Sequence, residues 1–525
     1  MTQHDSLVEY GSRRVIITIT AVICALLEII DTTIVNVALN DMRGSLGATL
    51  NEVSWVITAY SIANVIIVPM TSWLSQQFGR RNYFAVSIIL FTVSSFLCGN
   101  ATSINELIIF RFLQGLGGGA LLVTSQTIIT ESYPIEKRPM AQAIYTLGVI
   151  VGPTLGPPLG GYIIDHYAWP DIFYINIPVG IVATLLTLQF VKSPKYADKR
   201  KPRDVDWTGI ALLAISVGSL QYILEKGQEE DWFSSTAIII LAVIAVLGFF
   251  FFIWRELIFK YPVVQLRVLK NGNLRIGVIL SFIMGFGLYG STFIIPLYTQ
   301  SILGWNAQQA GMLLVPSSIM IAVMMPIVGQ MIQRGFSQKY MIAGGMLLFF
   351  IYCFFSHNLI TPSTSADNFF WVLMLRGVGL GFLAVPVSTM ALSTLKGQQI
   401  GQGAAFSGMM RQLGGSFGVA IISTFISRQN MQHRSDLVTN LRIDDPDVQQ
   451  RIAGMQSMMM SKGMPSNTAL GSAYKMLDNS ITLQSTILSY MDVFLWIGIM
   501  FLICVPVILV FVRRSKNKVV PVDAH

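Results

Sequence analysis

Long apolar stretches, each enough for a helix to cross the hydrocarbon of a bilayer, alternate along this chain with short polar connections. A span-length window finds fourteen of them, at 15–38, 53–75, 83–98, 104–129, 141–164, 173–190, 207–224, 235–254, 274–298, 310–332, 340–355, 369–395, 403–426 and 490–512. The pattern predicts an all-α polytopic membrane protein. One connection stands apart, running over 428–489. It is polar at first and then rich in methionine, with Val448, Ile452, Met455 and Met459 at helical spacing. That spacing predicts an amphipathic helix or hairpin projecting from the membrane. The thioethers of Met455, Met458, Met459, Met460 and Met464 suit either a Cu(I) site or a packing and docking face.

Composition agrees: 53% of the 525 residues are apolar and only 12% are charged, about half the share of a soluble chain, so lipid is the solvent for most of the surface. The net charge of +8 comes from 35 basic and 27 acidic residues. The basic ones are spread through short loops rather than clustered on one face, which excludes a nucleic-acid partner. Arg13/Arg14, Arg80/Arg81, Lys137/Arg138, the run from Lys192 to Arg203, Arg255 to Lys270, Arg334/Lys339, Lys396 and Arg513 to Lys518 all follow an even number of crossings. Both termini are therefore expected in the cytoplasm, and the first apolar run is expected to be a retained helix rather than a signal peptide. The Lys192–Arg203 run fits this topology and fits a lipid-headgroup site as well.

Cys24, Cys98, Cys353 and Cys504 each sit inside apolar stretches without the spacing of a metal site or disulfide framework, and His4, His166, His357, His433 and His525 are scattered. The sequence contains no GxxxxGK[ST] and no HExxH, so no ATP site, metal or catalytic set is expected. Five ionisable residues lie within spans: Glu28, Asp31, Arg111, Arg376 and Arg411. Each costs about 2.5–3.5 kcal/mol at the bilayer centre on the insertion scale, so each needs a partner or a wet cavity. Glu28 and Asp31 are three apart and share one helix face, where burial and mutual repulsion favour the protonated form of at least one carboxyl. Such a group can carry a proton; the alternative is an Asp31 that only caps or pairs with an arginine. A potential of about 100 mV with about one pH unit supplies roughly 3.7 kcal/mol per proton, enough for a few-hundred-fold gradient.

Glycines cluster in two spans. RFLQGLGGG runs from Arg111, and GVIVGPTLGPPLGGYI holds Gly148, Gly152, Pro153, Gly156, Pro157, Pro158, Gly160 and Gly161. Glycines four apart allow helices to touch along their backbones, and the prolines permit bending.

Together these motifs resemble the major facilitator superfamily, in its fourteen-span drug:proton antiporter branch of the EmrB/QacA type. LEIIDTTIVNVALN is similar to that branch's first-span signature with its acid at Asp31. SWLSQQFGRR resembles the gating loop, here Gln76, Gly79, Arg80 and Arg81. LIIFRFLQGLGGG resembles the fourth-span motif, GVIVGPTLGPPLGGYI the antiporter motif, and FYINIPVG, AQQAGMLLVP and RQLGGSFGVA further signatures of the branch. Ser72 and Gln76 stand where the gating loop usually has Gly and Asp, which argues against a charge-based latch. Asn40 replaces a closing proline, and Glu28 is an extra acid.

The resemblance implies two six-helix bundles, 1–191 and 274–525, with two inserted helices in 192–273, and a midplane substrate site between rocking halves. RFLQGLGGG and LRGVGLGF place Arg111 and Arg376 in corresponding spans of the two halves. The expectation is a proton-coupled exporter of lipophilic or cationic amphipathic compounds in a bacterial inner membrane, driven by the proton gradient and without a cofactor. Asp31, Glu28 and Arg111 are the coupling candidates; Asn36, Gln114, Arg376, Arg411, Tyr60 and Tyr289 are cavity candidates, with Trp55, Phe286 and Met409 as further apolar lining. Export of one endogenous lipid, fatty acid or siderophore, uptake by symport, and a non-transporting sensor or scaffold are the rival readings. In a host with two membranes the resemblance also implies a periplasmic adaptor and outer-membrane channel, docked through the 428–489 loop.

Overall fold

A backbone in hydrocarbon finds no water for its N–H and C=O groups, so each apolar segment folds as a helix that satisfies them internally. The computed structural model describes residues 7–194, 205–442 and 444–511. Lys195, Lys199, Arg200, Lys201, Arg203, Arg513, Arg514, Lys516, Lys518, His4 and His525 lie outside the described residues.

Helices α1 (Gly11–Leu46), α2 (Leu50–Phe78), α3 (Arg80–Gly99), α4 (Ile104–Ser132), α5 (Arg138–His166), α6 (Asp171–Tyr174) and α7 (Asn176–Phe190) come first. Next are α8 (Trp207–Lys226) and α9 (Thr236–Ile258). The rest are α10 (Gly272–Ser301), α11 (Ala307–Leu313), α12 (Val315–Gln333), α13 (Gln338–Leu359), α14 (Ala366–Leu392), α15 (Gln398–Thr439), α16 (Pro446–Ser461) and α17 (Ser466–Phe511). Among the described residues, twelve spans are long and apolar enough to cross a membrane, α6 with α7 and α11 with α12 each counting as one, and α5 makes a thirteenth although bent by 43° where its prolines fall. Helix α15 has the length but is too rich in Gly, Gln and Ser to join them on composition.

Helix starts follow local chemistry. Thr49 and Glu52 form a reciprocal capping box before α2, as Asn306 and Gln309 do before α11, each satisfying free N–H groups of a first turn. Gly79, at φ 81°, turns the chain between α2 and α3, a conformation that a side chain would strain.

Helices α1, α2 and α3 gather around α4, α7 packs on α3 and α1, and α5 lies along α1. Helices α10, α12 and α13 gather around α14, with α15 along α10 and α17 along α13 and α15. The groups meet where α5 packs on α11, α12 and α14, and where α15 packs on α2 and α4. Helices α8 and α9 pair with each other, and α8 rests on both α2 and α15.

The 428–489 region is where expectation and structure part. It is helical for most of its length, because α15 continues to Thr439 and α17 begins at Ser466. At 1.5 Å per residue these helices of 42 and 46 residues span about 63 and 69 Å, twice the roughly 30 Å of hydrocarbon. Their projecting parts are bound by Asn430 to Ser485 and Thr486, His433 to Asp492 at 2.7 Å, and Arg434 to Asp478 at 2.6 Å. A window tuned to apolar runs cannot see a polar helix outside the bilayer. The periodic face is as expected: Val448, Ile452, Met455 and Met459 are half-buried on α16, which packs on α17, while Met458, Met460 and Met464 are exposed.

Candidate functional site

Desolvating a charge in hydrocarbon is tolerable only where partners replace water, and Asp31 shows what that takes. Its Oδ2 accepts from Arg111 Nη1 at 2.5 Å, and its Oδ1 from Gln114 Nε2 at 2.9 Å and Asn176 Nδ2 at 2.8 Å. Arg111 also donates to Gln114 Oε1 at 2.7 Å and to the Val56 carbonyl, and its guanidinium lies 4.0 Å from the centre of the Tyr60 ring. Ser95 accepts from both amides. Asp31 is fully enclosed. The acid and arginine foreseen as partners do meet, and Gln114 belongs with them rather than in a cavity, because its amide is consumed by Asp31 and Ser95.

Glu28, one turn earlier, lies elsewhere. It lines a cavity of about 260 Å³ between the two groups of helices, together with Thr32, Asn36, Tyr60, Asn64, Pro153, Tyr289 and Arg411. Glu28 Oε1 accepts from Asn64 Nδ2 at 2.7 Å, while Oε2, equally buried, has no hydrogen-bond partner. Helix α4 reaches this point through Gly118, where a Cβ would meet the Tyr60 hydroxyl and Glu28. Tyr60 thus sets one face on Arg111 and borders the cavity with its other parts, dividing the Asp31 cluster from the space that holds Glu28. Arg411 comes from α15, and its side chain is within bonding reach of Tyr145.

Asn36, Tyr60, Tyr289 and Arg411 therefore line the cavity as expected, and Arg376 does not. Arg376 is buried inside the second group, donating to Ser291 Oγ and Ser317 Oγ at 3.0 Å each and to Thr292 Oγ1 at 2.6 Å. Trp55 packs on Tyr222, Phe286 on Trp496, and Met409 in the apolar core, so these three are also outside the lining; each finds an aromatic or aliphatic neighbour that covers it. Among the cavity residues the sequence reading missed, Gln221 and Glu225 enter from α8, the first inside the seventh apolar run and the second just past its end. Asn176, inside FYINIPVG, is a third polar residue whose role only the fold reveals.

The glycine motif on α5 is a seam. A Cβ at Gly148 would press on Val22, at Gly152 on Ile29, at Gly156 on Thr33 and at Gly160 on Ile34, all on α1, whereas Gly161 faces Gln308 and Pro157 and Pro158 pack on Gly311. Helix α5 thus binds α1 along one face and the second group along another. In the gating loop, Arg80 makes a two-pronged ion pair with Glu131 within the same group, and the Arg81 N–H donates to Ser193. Gln76 reaches across instead, accepting from Gln398 at the start of α15. A neutral amide bridge occupies the place where a charged latch was not expected.

Two groups of membrane-spanning helices around a shared, partly polar cavity are the architecture of a multi-pass membrane transporter. The sequence profile of the Major Facilitator Superfamily matches residues 21–419, and this chain belongs to that superfamily. It is 33% identical over 484 residues to the multidrug export protein EmrB of Escherichia coli K12, covering 92% of each chain. It is 32% identical over 493 residues to the fatty acid resistance protein FarB of Neisseria gonorrhoeae, covering 94% of this chain and 95% of the other. Among solved structures, the proton:xylose symporter XylE shares the fold, with TM-score 0.58 and 15% identity, covering 94% of this chain and 96% of that one.

Proposed function

We propose that this protein is a proton-coupled multidrug efflux antiporter of a bacterial inner membrane, exporting lipophilic or cationic amphipathic compounds by alternating access. The observation that carries it is a carboxylate, Glu28, at the wall of a central cavity, with one oxygen left without a hydrogen-bond partner and Arg411 contributed from the opposite group. Relatives named for multidrug export, at about a third identity over nearly the full length, support the same reading.

In this reading the halves are 1–191 and 274–525, α8 and α9 are inserted between them, and α15 counts as the fourteenth span. The end bearing Gly79–Arg81 is cytoplasmic, and the projecting α15–α17 hairpin with α16 is the docking surface for a periplasmic adaptor. No cofactor takes part; the gradient does the work. Protonated Glu28 is neutral and leaves Arg411 without a counter-charge, so a cation is expelled; deprotonated Glu28 attracts the next one. Asp31 stays with Arg111, and Tyr60 relays its field to the cavity wall.

A fatty-acid exporter is the second reading, favoured by the likeness to FarB and by a guanidinium in the cavity. Two carboxylates, Glu28 and Glu225, against one arginine weigh towards cations.

The test is substrate-induced proton release from purified protein in weak buffer, using a lipophilic amine dye. Wild type should release protons, Glu28→Gln should not, and Asp31→Asn should retain release from a less stable protein. Release surviving in Glu28→Gln and lost in Asp31→Asn would transfer coupling to Asp31.

A further inference from the structure

Helix α8 belongs to neither group of six spans, yet it puts polar side chains into the cavity. Gln221, completely buried, donates both hydrogens of its amide nitrogen, to Glu225 Oε1 and to Ser416 Oγ, each at 2.9 Å. With Glu225 ionised, as a carboxylate that only accepts, this orientation of the amide follows, and Gln221 Oε1 is left without a donor. Across the same cavity Glu28 Oε2 is also an acceptor without a donor. The neighbouring Lys226 does not supply the deficit: it is turned away, held by Asn51, Ser54 and Glu229. Of the charged residues around this space, two are acids and one, Arg411, is a base. Acids outnumber the base here, and two buried acceptors, Gln221 Oε1 and Glu28 Oε2, have no donor.

Buried acceptors without partners are costly, and a ligand that brings the missing hydrogens recovers that cost. Resting on the transport reading above, we propose that α8 carries the cation-recognition subsite for protonated amines. The ammonium charge is held by Glu225 and its N–H is donated to Gln221 Oε1, while the apolar body lies against Tyr289, Leu224 and Ile57. Glu28 is then left free for the proton. A quaternary ammonium has the charge but no N–H, so this subsite ranks it below an amine of the same shape.

The probes are a naphthylhexyl dimethylamine, protonated at neutral pH, its trimethylammonium counterpart, and the matching naphthylheptanoate. Binding is followed by fluorescence on purified, monodisperse full-length protein. The amine should bind wild type about tenfold tighter than the quaternary ion, the worth of one hydrogen bond to a charged group, and the carboxylate should bind most weakly. Gln221→Met should bring the amine-to-quaternary ratio to within about twofold, and Glu225→Gln should weaken both cations about tenfold. Equal binding of the two cations to wild type, an unchanged ratio in Gln221→Met, or tightest binding of the carboxylate overturns the proposal. Gln221→Met, uncharged and similar in length, decides alone if Glu225→Gln does not fold. Uphill efflux from proteoliposomes under an imposed pH gradient separates the two levels. Efflux with equal affinities defeats only this subsite; absence of efflux for both cations defeats the transport reading itself.

Discussion

Arg111 and Arg376 sit on matching helices, α4 and α14, at the centre of matching groups, and each donates to a main-chain carbonyl of a neighbouring helix, Val56 in one case and Leu288 in the other. Their remaining partners differ. Arg111 has the carboxylate of Asp31 on α1, whereas Arg376 has the hydroxyls of Ser291 and Thr292 on α10 and of Ser317 on α12. Among the described residues, no carboxylate accepts from Arg376. One half matches the charge of its central arginine with a carboxylate, and the other solvates its arginine with hydroxyls and a main-chain carbonyl alone. The second arginine therefore stands as a net positive charge inside its group, while the first belongs to an ion pair.

The comparison breaks most visibly if the pair at Arg111 is cut. Arg111→Met strands Asp31 in a dry interior and should cost about 3–5 kcal/mol, read as loss of the folded species in denaturant or thermal scans of detergent-purified protein. Arg376→Met should cost under about 2 kcal/mol, because the hydroxyls of Ser291 and Thr292 already bond the Leu288 carbonyl of their own helix and are left satisfied. Equal losses would show that the two arginines are held in equivalent ways after all.

The seams that bring each cluster together can be compared too. On α5, a Cβ at Gly156 would collide with the Thr33 side chain; on α10, one at Gly285 would collide with the Arg411 main-chain carbonyl. All three nearest atoms at Gly285 are backbone, whereas the nearest at Gly156 is a hydroxyl that can rotate away, so Gly285→Ala should lose about 1–3 kcal/mol and Gly156→Ala less, by the same unfolding assay. Making the halves alike is the next test. Thr292→Asp, close in size to the residue it replaces, would give Arg376 its carboxylate and should gain roughly 1–2 kcal/mol. No gain would mean that the hydroxyl shell already compensates the guanidinium fully.

How much of this could be read from residues alone depends on the length scale. Thirteen spans were visible because twenty apolar residues in a row have few alternatives to a membrane helix, and α15 was visible as a segment though its glycines dilute it. The pairing of Asp31 with Arg111 was weighed as an alternative because a charge in hydrocarbon demands a partner. What separated Glu28 from Asp31 was three residues of helix rotation plus one tyrosine, and no one-dimensional pattern reports which face meets Tyr60. Asn176 and Ser95 escaped notice because neutral polar residues are common in spans. Glu225 escaped because the apolar run ends one residue before it, although the helix goes on to Lys226.

The smallest expected effect concerns the contact that joins the halves at the Gly79 end. Gln76 and Gln398 are both amides, so their bridge carries no net charge, unlike the Arg80–Glu131 pair beside it, which stays within one half. A single neutral hydrogen bond is worth about 0.5–1.5 kcal/mol, a two- to tenfold bias towards the closed end. Gln398→Ala should therefore raise the rate at which a cysteine at Ser72, close against Gly401 in the closed form, reacts with a water-soluble maleimide by a similar factor. Screening acts on charges and not on amides, so the wild-type labelling rate should change less than about twofold between low and physiological salt. A strong salt dependence would mean that the charges at this end, Arg80 and Glu131 foremost, govern opening even though their bond to each other lies within one half.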